Sequence, residues 1–388
     1  MRFISTGIFL AFSTIAATIV ADPFHSALAQ ASAETEAPIG AAEARETAAG
    51  FARLIEENYV FPDVAKKYAQ TLRSRAARGE YDGLGTRGAL AAELTRHVQA
   101  VHKDGHLKIY PQSPAAAGAQ PQMMMVAPQA QEGPVEPAKP GPGKPIEEAR
   151  WLAPGIAYIR FTIFPLDPAV TAAAANFMKD HADAETVIFD VRTNKGGGMS
   201  QTVAMLPYLY DKETVLVRGD VRASVIEDMG GAPNMPPWVR LTSPSREGVR
   251  TEDTFVKPHP SERRLFDAKV YVLTSNFTAS AAEAFAFGLK TTGRATLIGE
   301  RTTGGGHFAP PGQRVNHKFA AFVPIGRAYD PRTGEGWEGT GVQPDIKVPA
   351  EKALVEALVR SGIGRSEAER LSASVHPQGP MTRPDVAP

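Results

Sequence analysis

The chain has 388 residues, enough for two or three domains with their own cores, and its 43% apolar and 22% charged content is that of a globular protein. Lys+Arg and Asp+Glu both number 42, and no basic stripe stands out, so neither nucleic acid nor an anionic surface is expected as a partner. Cysteine is absent, which excludes disulfides, a thiolate nucleophile and cysteine metal sites.

Residues 1–29 read as a signal peptide: Arg2, an apolar run from Phe3 to Val20, and Ala27-Leu28-Ala29 as an A-x-A cleavage site. The expected mature protein begins at Gln30, is exported, in all expectation to a periplasm, and has no membrane association once the signal is removed. Residues 38–110 have helical periodicity and are expected as a small cap domain. Ala44, Ala48, Phe51, Leu54 and Ile55 share one helix face, Asp63 is placed as N-cap of a second helix, and a third runs over Arg87–Val101. Residues 111–148 are rich in Pro, Ala and Gln and are expected as a linker too poor in apolar residues to fold alone.

From 149 to 350, strand and helix signals alternate. Strands are expected at 156–161, 186–191, 269–274, 295–298, 319–323 and 346–348, with a helix near 167–181 and another from about Thr278. The fold class is therefore α/β, a mixed sheet flanked by helices. The remainder, 351–388, is expected as a helix and a disordered tail.

The strand at 269–274 feeds a turn of small residues and then a helix. A hydroxyl there meets free N–H groups and a positive dipole end, although Thr278 or Ser280 could equally be a cap. Gly196-Gly197-Gly198 follows another buried strand, with no G-K-[ST] to make it a phosphate loop. The nine histidines lack metal-site spacing, so no metal and no cofactor is expected.

Four ordered segments carry a resemblance. Thr278-Ala279-Ser280-Ala281-Ala282-Glu283 resembles the S-A-S-A-S-E box of the tail-specific, or C-terminal processing, serine proteases. Asp190-Val191-Arg192-Thr193-Asn194-Lys195-Gly196-Gly197 resembles their D-x-R-x-N-x-G-G. Gly299-Glu300 and Gly339-Thr340-Gly341-Val342-Gln343-Pro344-Asp345 resemble the two later boxes. The resemblance implies a crotonase-like catalytic domain, Ser280 as nucleophile, and an oxyanion hole from the N–H groups of Gly197 and Ala281. Ser-Lys members carry a lysine where this chain has Gly305; Lys290 and Lys318 are nearby but lie in no matching box.

The tricorn-core and interphotoreceptor retinoid-binding branch is the more similar one, and it has a D-x-H element after its cap. Here that element is Asp104-Gly105-His106, which implies His106 as base and Glu338 as its acidic partner. His307 and Glu335 are the rivals, and Asp104 could orient His106 instead or begin a turn. Asp190 and Arg192 are expected to support the glycine turn, and Gly304-Gly305-Gly306 to be a mobile loop beside the cleft. The expected activity is hydrolysis of a peptide or unfolded protein, without a PDZ module. The alternatives are hydrolysis of another ester or amide, or carriage of a small apolar ligand without turnover. The sequence leaves the oligomeric state open.

Overall fold

The computed structural model describes residues 34–112, 135–228, 235–309 and 312–383. The signal segment and most of the Pro-rich linker thus lie outside the described residues. Among the described residues, no helix is long and apolar enough to cross a membrane.

The cap is three helices, α1 (Ala41–Asn58), α2 (Pro62–Ala77) and α3 (Arg87–Val101), followed by strand β1 (Lys108–Pro111). Ala44, Ala48, Phe51, Ala52 and Ile55 bury one stripe of α1 against Tyr68, Leu72, Leu90 and Leu94. Pro62 occupies the first turn of α2, so Asp63 is inside the helix rather than its N-cap as the sequence suggested, and Phe61 caps it. β1 leaves the cap and pairs antiparallel with β12 (Phe319–Phe322), whose other edge takes the short β11 (Gln313–Arg314), so Phe319, Ala321 and Val323 complete the cap core.

The larger part is built on a six-stranded sheet. It contains β2 (Ile146–Ala153), β3 (Ile156–Phe161), β4 (Thr186–Asp190), β8 (Lys269–Thr274), β9 (Thr296–Gly299) and β14 (Ile346–Lys347). Their order is β14-β9-β8-β4-β3-β2, parallel throughout except for β2. Alternation along the strands sends the two faces to separate cores. Ala157, Ile159, Val187, Phe189, Val270 and Val272 meet helices α4 (Pro168–Asp180) and α7 (Ala281–Thr291), the latter through Ala282, Phe285 and Leu289, with the short α5 (Ser200–Met205) and α6 (Ala223–Asp228) between them in the chain. Tyr158, Ile188, Tyr271, Leu273 and Ile298 meet α8 (Ala353–Arg360) and α9 (Arg365–Ser374).

A second sheet, which the sequence reading did not anticipate, has the order β10-β13-β5-β7-β6. It comprises β5 (Thr214–Arg222), β6 (Val239–Thr242), β7 (Val249–Val256), β10 (His307–Phe308) and β13 (Gly326–Tyr329). Charges buried along it hide its periodicity. Asp220 is buried, pairs with Arg327 at 2.9 Å and accepts from Ser245 and Thr251; Asp253 is held by Arg218 at 2.6 Å. The C-terminal segment also departs from expectation. Beyond α9, Val375 and Met381 are buried and Arg383 N–H donates to Asn276 Oδ1, so the expected tail is packed through Arg383, and its last residues, 384–388, lie outside the described residues.

Candidate active site

β8 delivers the chain to a turn in which Ser275 and Thr278 are consumed by structure. Thr278 Oγ1 donates to the Val191 carbonyl at 2.8 Å and accepts from Ser275 N–H, both fully buried. This removes Thr278 from contention and leaves Ser280, half-buried, at the start of α7 and facing a cleft of about 340 Å³. Ser280 has φ 55° and ψ −123°, the one positive φ outside glycine among the described residues. A side chain in that region is strained and persists only when its surroundings fix it.

Glu283 supplies the fixing. It is buried, and one carboxylate oxygen accepts from Ser280 N–H at 2.7 Å and Gly305 N–H at 2.8 Å. The other accepts from Gly304 N–H at 2.6 Å and the Thr302 hydroxyl at 2.5 Å. Burial pushes the Glu283 carboxyl up, and these four donors offset only part of that push. No role for Glu283 was assigned from the sequence; its place as the last residue of the serine-bearing box was the available signal. The same bonds correct the expected mobile loop, since the N–H groups of Gly304, Gly305 and Gly306 all donate to carboxylates.

The glycine turn after β4 packs directly on the serine. An ideal Cβ at Gly196 would lie 2.7 Å from Ser280 Cβ and 3.1 Å from Ala281 N, and φ there is +102°, so only glycine fits. Asn194 Oδ1 accepts from Gly196 N–H at 2.8 Å, and the Asn194 carbonyl accepts from Ala279 N–H. Asp190 and Arg192 anchor the turn from beneath through two hydrogen bonds of 2.9 and 2.7 Å, while Arg192 also reaches the Ala350 carbonyl. Gly197 and Ala281 both line the cleft, and among the described residues neither N–H has an intrachain acceptor.

His106 and His307 line the same cleft. His106 is brought in by the cap: Asp104 Oδ1 accepts from the N–H groups of His106 and Leu107, and Gln99 Oε1 receives Asp104 N–H. Its ring stacks on Phe322, centroids 5.1 Å apart, and packs where a Cβ of residue 305 would be, so glycine at 305 is what admits the imidazole. A lysine there would collide with it. His106 Nδ1 is buried without a hydrogen bond and faces Glu338 Oε2 at 3.8 Å, an ion-pair distance rather than a hydrogen bond.

Glu338 is fixed by N–H donors from Gly105 at 2.6 Å, Gly306 at 2.7 Å and His307 at 2.8 Å. Burial pushes its carboxyl up, but the His106 and His307 rings outweigh that and hold it below the ordinary value. His307 Nδ1–H donates to Asp104 Oδ2 at 2.6 Å, and that oxygen also receives the Tyr59 hydroxyl at 2.8 Å. Asp104 therefore pairs with His307, not with the His106 side chain. Burial pushes Asp104 up, and the bond and charge of His307 together with Tyr59 bring it below its ordinary value.

Other sequence candidates lie elsewhere. Lys290 is paired with Asp345 at 2.7 Å, Lys318 with Glu43 at 2.8 Å, and Glu335 is exposed. Asp104, His307 and Glu338 have ligand atoms within 4.8 Å of one another, a spacing that could hold a cation. Their oxygens are already taken by the donors just described.

Comparison with known proteins agrees with this geometry. The sequence profile of peptidase family S41 matches residues 155–348, half the chain, and that described as the N-terminal domain of peptidase S41 in eukaryotic IRBP matches residues 41–137. The photosystem II D1 C-terminal processing protease superposes with a TM-score of 0.52 at 16% identity, covering 84% of this chain and 99% of its own. A protein from Parabacteroides merdae described as a peptidase gives 0.53 at 17% identity, covering 83% and 97%. A mixed sheet flanked by helices, an S41-type cap and four sequence boxes in order thus lead to one assignment: the chain belongs to peptidase family S41 and is a serine-type peptidase.

Proposed function

We propose that this protein is an exported peptidase that cleaves peptides or unfolded proteins through an acyl-enzyme at Ser280. His106 serves as base, Glu338 stands behind it, and the N–H groups of Gly197 and Ala281 form the oxyanion hole. The observation that carries this reading is convergence. Ser280 from the α/β part and His106 from the cap line one cleft, with Glu338 Oε2 3.8 Å from His106 Nδ1.

In this reading Nδ1 faces the carboxylate, which leaves Nε2 to take the Ser280 proton as the hydroxyl attacks the scissile carbonyl. The alkoxide-like oxygen of the tetrahedral intermediate gains charge beside two N–H groups that have no other acceptor among the described residues. His106 returns its proton to the leaving amine, and a water repeats the sequence on the acyl-enzyme. Glu338 stabilises the imidazolium in the two charged stages. The 3.8 Å His106–Glu338 contact must shorten to a hydrogen bond for the carboxylate to hold the Nδ1–H during the reaction.

A second reading makes His307 the base with Asp104 behind it, favoured by their 2.6 Å bond. His106 is preferred because its ring packs at Gly305, whose N–H shares a Glu283 oxygen with Ser280 N–H. Export is inferred from the A-x-A segment, and the N-terminal residue of protein recovered from the periplasm tests it.

The function is tested by incubating wild type and Ser280→Ala with an unfolded protein and reading products by mass spectrometry. Cleavage by wild type alone is expected. Equal cleavage by both overturns the nucleophile, and no cleavage by either folded protein returns the choice to a non-peptide substrate or an apolar ligand.

A further inference from the structure

One wall of the cleft is a face of the second sheet. Val217 and Gly219 of β5 stand beside Glu252 and Thr254 of β7, and Ala328 of β13 pairs with Gly219. Among these apolar or uncharged neighbours Glu252 is 4% exposed, and it is the one carboxylate among the described residues lining the cleft. Around it the lining is largely apolar, with Met199, Ala284, Ile325 and Trp337, and the one lysine or arginine among the described lining residues is the exposed Lys195, just before the glycine turn.

Glu252 is poorly matched by its own chain. Among the described residues its one hydrogen-bond partner is Arg250 Nη2, at 3.2 Å to Oε2. The adjacent Asp253, on the opposite face of the strand, holds Arg218 through two bonds of 2.6 and 3.1 Å. Burial pushes the Glu252 carboxyl up, and Arg250 offsets only part of this. A carboxylate on an apolar wall is costly unless something else completes its shell. An apolar substrate side chain would desolvate it further, and an acidic one would meet it with like charge.

We propose that Glu252 is a specificity residue that selects substrates with a lysine or arginine beside the scissile bond, whose methylenes lie along Val217, Met199 and Ala284 while the cationic head reaches the carboxylate. Long basic side chains suit such a pocket because an apolar stem and a charged tip are buried in different surroundings. The inference rests on the reading of Ser280 as the nucleophile that shares this cleft.

The test uses the full chain and matched peptides bearing either lysine or norleucine, which has the same carbon stem without the ammonium, at each residue within two of the cut. Lysine peptides are expected to show a kcat/KM roughly ten- to hundredfold higher, the scale of a charge-assisted hydrogen bond. Glu252→Gln is expected to bring the ratio close to one. Equal or faster cleavage of norleucine peptides by wild type overturns the proposal, as does a ratio unmoved in Glu252→Gln. If that variant does not fold, the wild-type ratio alone decides. If wild type cuts neither series, the peptidase reading has failed separately, and binding to Ser280→Ala by fluorescence anisotropy decides. At least tenfold tighter binding of the lysine peptide then supports Glu252, and equal binding overturns it.

Discussion

Replacing Gly305 by alanine tests the base directly. The backbone at 305 is not in the left-handed region, so the substitution acts through its methyl group alone. An ideal Cβ would lie 2.4 Å from His106 Cε1 and 3.1 Å from Nε2, with a milder contact of 3.2 Å to Glu283 Oε2, where ordinary contacts are 3.4–4 Å. The ring must therefore retreat by about 1 Å, a displacement that costs on the order of a hundredfold in rate when it moves a catalytic group. A hundredfold loss is about 2.7 kcal/mol of transition-state stabilisation. The assay is kcat/KM on a quenched fluorescent peptide, with thermal unfolding to confirm an intact fold. Gly305→Ala is expected to show most of its loss in kcat, because the ring is displaced in the free and bound enzyme alike. Activity within threefold of wild type would refute the reasoning and shift the base to His307, which is held by Asp104 and is not among the nearest contacts of that methyl group.

Two further substitutions probe the supports. Glu283→Gln places an amide group where two donors already point at whichever oxygen it replaces; a loss of roughly 2 kcal/mol or more in stability is expected from denaturant unfolding. Activity should fall with it as Ser280 relaxes from φ 55°, and a change under 1 kcal/mol would show that the four bonds do not carry this weight. For Asp104, the folded carboxyl is held below the ordinary value near 4, so its stabilisation is complete above about pH 4 and fades as pH falls further. Asp104→Asn should therefore lower Tm at neutral pH, with the gap from wild type narrowing below about pH 4; a gap that stays constant down to pH 3 contradicts the pairing with His307.

Much of the main sheet could be read from the chain because its strands are buried on both faces and carry unbroken apolar runs, as in Thr186–Asp190 and Lys269–Thr274. Helix Arg87–Val101 was equally plain from its apolar spacing. The second sheet was not legible. Asp220, Glu252 and Asp253 interrupt the pattern that would reveal β5 and β7, and their burial makes sense only once Arg327, Arg218 and the cleft are in place.

The site divides in the same way. Ser280 and the glycine turn belong to continuous segments, strand to turn to helix, so local sequence fixes their shape: small residues at 279–282 and glycine at 196, where a Cβ would strike the serine. The histidines belong to no such segment. Which of them meets Asp104 and which meets Glu338 depends on β1 pairing with β12, a contact that carries the cap onto the cleft and sets His106 on Phe322. Sequence alone could name His106, His307, Asp104 and Glu338, because their side chains are the ones suited to the chemistry. Only the tertiary structure decided their partners, since hydrogen bonds select by distance in space and residues more than two hundred positions apart in the chain, such as Gly105 and Glu338, come within 2.6 Å of each other.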